Sequence, residues 1–150
     1  MVGLEQPVRP QKGHILVTQK TDKLIKLPMT QLRQTAEGSI MIGDSKEEVG
    51  FDISSSADVT AQIASRAQRT LPALKNQQII RSWAALRVMS PDGNPIYDQS
   101  ASHPGAYAIT CHSGVTLAAA HCFDLASDIE AGCLGIGLQP FSERRFHVPA

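Results

Sequence analysis

Apolar positions along the chain recur with two different periods. Residues 14–18 (HILVT) follow Gly13 as an apolar, β-branched run and predict a strand. Residues 24–27 predict a second, shorter strand before Pro28. Ala36-Glu37-Gly38 has turn chemistry, and the residues on either side, 32–35 and 39–42, predict a hairpin. After a charged stretch at 46–48, Ser54, Ser55, Ser56 and Asp58 are all good helix N-caps. Val59, Ile63, Ala67 and Leu71 then fall at four-residue intervals, the stripe of an amphipathic helix that Pro72 ends. Residues 78–89 alternate loosely around Ile79, Ile80, Trp83, Leu86 and Val88 and predict a long strand. Residues 91–95 (PDGNP) carry the strongest turn signal, and 107–110 predict a short strand. From Gly114 to about Glu130 the chain is rich in Ala and Leu without proline, a helix that Gly132 stops. The last segment reads as an irregular tail. This order of strand, hairpin, helix, strands and helix predicts an α+β chain with largely antiparallel pairing.

Composition removes several classes of function. A chain of 150 residues, 42% apolar and with a formal net charge of zero, has core-forming capacity but no basic excess for nucleic acid. No stretch approaches the roughly 20 apolar residues of a membrane span, and the N-terminus has no apolar leader region. Cys111, Cys122 and Cys133 are an odd set without scaffold spacing, so a reducing, cytoplasmic setting is expected.

Candidate chemistry concentrates in two places. Cys111-His112-Ser113-Gly114 follows a strand and opens a helix, where unpaired N–H groups and the helix dipole favour an anion. Ser113 or Thr116 adds a hydroxyl. A reduced flavin, a phosphate and a carboxylate are equally acceptable there, and Ser113 can equally serve as a plain helix cap. Arg81, Trp83 and Arg87 share one face of the long strand. Their guanidinium groups suit bidentate capture of a carboxylate, or surface ion pairs beside a half-buried indole. Cys111, His112, His121, Cys122 and Cys133 are zinc-type ligands with poor spacing, so no metal site is expected. No third group orients a Cys–His pair, and no catalytic side chain is assigned.

Several segments carry a family resemblance. RSWAALRVMSPDGNPIYD resembles the R-x-W-A-G-x-R-P-x-(S/T)-P-D-G-x-P segment of the D-amino-acid-oxidase-like flavoenzymes. CHSGVTLAAAHCFDLASDI resembles that family's G-H-x-x-x-G stretch and following helix, and FSERRF its F-x-P-x-R-F tail. VRPQKGHILVT resembles the P-x-R-G-Q strand, and TAEGSIMIGDSKEEVGFD the T-x-D-G hairpin, of the substrate domain. The segments occur in family order over nearly the whole chain. The resemblance implies an FAD-dependent oxidoreductase that oxidises a C–N bond of a small amino acid or amine, with hydride passing to flavin N5. It implies that Arg87, beside Trp83, holds the substrate carboxylate. It implies too that Cys111, His112, Ser113, Gly114, Val115 and Thr116 line the flavin ring. Residues 1–90 then correspond to part of the substrate-binding, antiparallel domain. Residues 91–150 correspond to the FAD-facing segment, with a helix at about 114–131 that packs in the family's FAD domain.

The chain also departs from the pattern. Ala85 and Val88 stand where Gly and Pro are usual, and no G-x-G-x-x-G follows an early strand; the one GxG, Gly135-x-Gly137, lies in the tail. The expected fold is therefore incomplete relative to the family, and FAD binding by the isolated chain is expected to be weak or absent. A separate FAD-binding partner chain, a homo-oligomer, or a non-catalytic module are the expectations that follow.

Overall fold

The computed structural model describes residues 2–147. Residues 10–87 form one compact unit; the segments up to residue 9 and from residue 88 onward form another.

The first unit is built on a four-stranded sheet. Its strands are β1 (Arg9–Lys20), β2 (Leu32–Gln34), β3 (Ser39–Ile42) and β4 (Ile79–Met89), in the order β2-β3-β1-β4. The β2–β3 hairpin forms where Gly38 predicts it, pairing antiparallel with Leu32 opposite Ile42. Gly38 has φ +102°, and a Cβ there would stand 2.8 Å from the carbonyl oxygen of Thr21, so only glycine fits the turn. β3 also pairs antiparallel with β1, with a register shift between Val17 and Lys20. Inside that shift the Thr18 hydroxyl accepts the Ile40 N–H at 2.9 Å, keeping a buried donor satisfied.

Helix α1 (Ala57–Thr70) is capped by Ser56, whose hydroxyl accepts from the Val59 N–H. It ends at Leu71, and Pro72 opens a 3-10 turn, Pro72–Asn76. The four-residue stripe faces inward: Ile63 and Ala67 are buried in a core with Leu16, Ile25, Leu32, Ile40, Ile42 and Leu74, and Val59 and Leu71 pack on its edge. Each such aliphatic side chain contributes about 1.5–3 kcal/mol by leaving water.

Residues 24–27 are not a strand. The side chain of Gln34 takes the place of a strand neighbour: its Oε1 accepts from the N–H groups of Leu24 and Ile25, and its Nε2 donates to the carbonyls of Thr21, Asp22 and Gly38. Ile25 still enters the core.

The second unit holds an antiparallel hairpin, β5 (Ile96–Gln99) with β6 (Tyr107–Thr110), Tyr97 facing Ile109 in register. A helical segment follows as α2 (Ala118–Ala120), a π-helical turn (His121–Leu125) and α3 (Ala126–Glu130). Residues 114–117 are turns, so the helix starts four residues later than its composition suggests. Two 3-10 segments, Ile136–Phe141 and Glu143–Phe146, complete the described chain. Sheets are antiparallel where pairing is defined and helices few, an α+β architecture. No described helix is long and apolar enough to cross a membrane.

Candidate functional site

In the first unit, Arg87 lies near the end of β4, two alternate positions beyond Trp83. Its Nη2 donates to Asp44 Oδ2 at 2.9 Å and its Nη1 to the Ser45 carbonyl at 3.1 Å. Both partners belong to the loop after β3. Arg81 is exposed, and Trp83, the chain's single tryptophan, is 37% exposed.

Beside this lies a polar group of residues that the sequence pattern did not expose. Alternation along β1 turns Lys12, His14, Leu16 and Thr18 to one buried face. Lys12 Nζ donates to Asp52 Oδ2 at 2.8 Å and to the Ser54 carbonyl at 3.1 Å. His14 is fully buried; Nε2 accepts the Ser56 N–H at 3.1 Å, while Nδ1 lies 2.8 Å from Glu47 Oε1. A backbone N–H only donates, so the imidazole carries its proton on Nδ1. The Lys12 ammonium holds the Asp52 carboxyl well below the usual carboxylate range. Burial pushes Glu47 up, but hydrogen bonds from Ser45 and His14 outweigh it and leave Glu47 lowered. These groups consume one another's donors and acceptors and tie the 45–56 loop and the α1 cap to β1. Only the charged stretch 46–48 hinted at them.

In the second unit, a cavity of about 530 Å³ is lined by Cys111, His112, Ser113, Thr116 and Leu117, together with residues 93–95, Tyr97, Leu138 and Phe141. Four of the six residues assigned by sequence to the flavin therefore meet at one cavity. Gly114 and Val115 are not in its lining, and Val115 is 95% exposed. The Ser113 hydroxyl lies 3.1 Å from His112 Nε2, and the Ser113 carbonyl accepts the Leu117 N–H. Ser113 thus begins a turn ahead of the helix rather than capping it directly. The Tyr97 hydroxyl is 2.8 Å from His121 Nε2, and Phe141 meets the Tyr97 ring edge-on. Burial pushes the Tyr97 phenol up, so it stays neutral.

The wall at 93–95 is held by Arg145. Its Nε and Nη2 grip both carboxylate oxygens of Asp92 at 2.9 and 3.0 Å, and Nη2 also donates to the Pro95 carbonyl at 3.0 Å. The guanidinium stacks 4.3 Å from the Phe146 ring centroid. The Arg145 guanidinium holds the Asp92 carboxyl well below the usual carboxylate range. The sequence marks both ends of this clamp, as a turn and as a tail, but not that they meet.

The three cysteines are free, and Cys122 and Cys133 are exposed, not buried as free cysteines usually are. Among the described residues the cysteines join no metal-type cluster. One such group, Glu5, Glu143 and His147, brings its ligand atoms within 4.8 Å of one another at the surface. Within it, His147 and Glu143 are hydrogen-bonded to each other.

The lining of the cavity is compatible with a flavin ring. Pro95, Leu117, Leu138 and Phe141 supply apolar walls and Tyr97, Ser113 and Thr116 supply hydroxyls, which suits a planar ring with one polar edge such as an isoalloxazine. No lysine or arginine lines it, so a pyrophosphate finds no counter-charge there.

Comparison with known proteins identifies the family. Residues 1–127 match the DAO family model, FAD dependent oxidoreductase. The chain is 51% identical to an opine oxidase subunit of Agrobacterium tumefaciens (strain Ach5), over 99% of this chain and 40% of that protein. It is 32% identical to hydrogen cyanide synthase subunit HcnC of Pseudomonas protegens, over 96% of this chain and 36% of that protein. The fold matches glycine oxidase from Geobacillus kaustophilus with a TM-score of 0.83 at 22% identity, covering 94% of this chain and 40% of that one. It matches L-proline dehydrogenase from P. horikoshii with a TM-score of 0.84 at 24% identity, covering 97% and 42%. The chain belongs to the FAD dependent oxidoreductase (DAO) family. It spans about 40% of the length of these relatives, so its fold is one part of theirs.

Proposed function

We propose that this chain is the substrate-side and flavin-facing part of an FAD-dependent oxidoreductase that oxidises the C–N bond of a small, carboxylate-bearing amino acid or amine. The observation that carries the proposal is the cavity where Cys111, His112, Ser113 and Thr116 meet the 93–95 turn and Phe141. When bound, FAD supplies the hydride acceptor. The chain's own residues do the rest. Ser113 and Thr116 hydrogen-bond the polar edge of the ring, and Leu117, Leu138 and Phe141 keep water from its face. Arg87 pairs with the substrate carboxylate and so fixes the orientation of the carbon next to nitrogen, with Trp83 as a neighbouring wall. Hydride transfer requires no acid or base from the protein, and none is assigned. The pyrophosphate is held by a dinucleotide-binding half that this chain does not supply, as part of a longer polypeptide or of a partner chain. Two relatives are named as subunits, of an opine oxidase and of a hydrogen cyanide synthase, which is consistent with a partner chain; each is itself much longer than the part this chain matches, which is equally consistent with a longer polypeptide.

A chimera tests this. The segment of the Agrobacterium opine oxidase polypeptide that aligns with this chain is replaced by this chain, and amine-dependent reduction of an artificial electron acceptor is measured. Turnover is expected, with KM for the carboxylate substrate raised at least tenfold by Arg87→Ala, since losing a charge-assisted pair costs about 1.5–3 kcal/mol. A chimera that retains FAD yet reduces no acceptor with any amino acid or opine would sink the proposal.

A further inference from the structure

We propose that Gly13 and Asp44 are positioning residues for Arg87. Gly13 is a cradle that only a residue without a Cβ can provide, and Asp44 is a side brace that fixes where the guanidinium presents itself to a carboxylate. The inference rests on the reading of Arg87 as the carboxylate-binding group and adds what sets its geometry.

The guanidinium is constrained from three directions. Below it lies the backbone of Gly13 on β1. A Cβ at that position would stand 2.3 Å from Nη2, 2.7 Å from Cζ and 3.0 Å from Nη1, so the planar group lies directly over the glycine. At its tip, Nη2 meets Asp44 Oδ2 and Nη1 meets the Ser45 carbonyl. Gly13 does not have the positive φ of Gly38, so turn conformation does not require glycine here. The close approach does. An arginine on a strand ordinarily samples many rotamers, and holding it costs side-chain entropy. Supports that spend two donors on fixed partners settle that ordering before any ligand arrives, and leave the remaining N–H groups for a carboxylate. Asp44 is itself 37% exposed and makes a single ion pair with Arg87, so it braces the cation without enclosing it.

The test uses the full chain and reads the position of Arg87 chemically. Phenylglyoxal labelling is followed by mass spectrometry, with exposed Arg81 on the same strand as internal reference. Gly13→Ala is expected to expel the guanidinium and raise Arg87 labelling at least fivefold relative to Arg81. The clashing atoms end a flexible side chain, so the fold is expected to survive, and circular dichroism checks it. Asp44→Ala is expected to raise labelling two- to fivefold, and Asp44→Asn, which keeps an acceptor oxygen, to restore most of the protection. Arg87 labelling within twofold of the unsubstituted chain in Gly13→Ala overturns the cradle; equal labelling in Asp44→Ala and Asp44→Asn overturns the brace. If Gly13→Ala does not fold, Asp44→Ala and Asp44→Asn decide alone. Acetate and pyruvate, added as probes, should slow Arg87 labelling in the unsubstituted chain and much less in Gly13→Ala. Equal protection in both overturns the positioning role. Protection in neither, with the labelling differences intact, removes the carboxylate reading and leaves the cradle standing.

Discussion

At the scale of single residues, the side chains that matter most act through a fixed neighbour. Arg145 illustrates this. It closes the 91–95 turn by gripping Asp92 and the Pro95 carbonyl, and so holds one wall of the cavity. Arg145→Ala is expected to destabilise the chain by about 1–2 kcal/mol, a partly exposed charge-assisted pair being screened by solvent. Urea denaturation measures it. The pH dependence has a definite sign. Asp92 has a folded-state pKa below its unfolded value, so the clamp contributes fully above about pH 4 and its contribution is lost as pH falls through the folded value. Stability should therefore fall on acidification below about pH 4, and the Arg145→Ala variant should show a shallower acid limb. An acid limb of unchanged slope would show that other carboxylates dominate. Asp52, lowered by Lys12, acts in the same direction and remains in both proteins.

At the scale of elements, local patterns were legible wherever local physics decides. The 59, 63, 67, 71 stripe, the Pro72 stop and the Gly38 hairpin stand as the sequence predicts, and the structure selects Ser56 among the four cap candidates. Each can be tested singly. Ser56→Ala should cost about 1 kcal/mol through the lost cap, and Gly38→Ala about 1–3 kcal/mol through backbone strain and the clash with Thr21. Thermal unfolding followed by circular dichroism should show the midpoint falling in both, further in Gly38→Ala. What was not legible depends on distant partners. Residues 24–27 look like a strand, yet their N–H groups are taken by one glutamine side chain from β2. Strand β5 is short and hidden against a proline-rich turn, and only its pairing with β6 defines it. The helix at 118–130 is preceded by turns at 114–117, where the Ser113 and Val115 carbonyls accept from Leu117 and Ala118, and composition alone does not mark that boundary. At the candidate site, the family motifs drew attention to Arg87 and the 111–116 segment, whereas the contacts that Gly13, Asp44, Tyr97, Phe141 and Arg145 make there are with partners distant in sequence and were not legible.

At the scale of the whole molecule, the family assignment and the share of the relatives covered lead to one expectation about the cofactor. The described cavity is lined by hydroxyls and apolar side chains, with no lysine or arginine. The isolated 150-residue chain should therefore bind lumiflavin, the ring without its phosphates, nearly as well as it binds FAD. Both should be weak, with Kd in the range of roughly 0.1–1 mM, as for a small ligand held by one wall. Flavin fluorescence quenching measures both. Tight, stoichiometric retention of FAD through dialysis would mean that the chain holds the diphosphate by means the cavity does not display.

The Asp92–Arg145 clamp joins residues 53 positions apart. A ribosome adding about 5–20 residues per second takes roughly 3–10 s to cover that interval. For that time the 91–95 turn emerges without its cation and the cavity without its Phe141 wall. The nascent hairpin is thus exposed with Tyr97 uncovered, and a chaperone or a flavin-bearing partner reaching it then would meet an open face that the finished protein no longer presents.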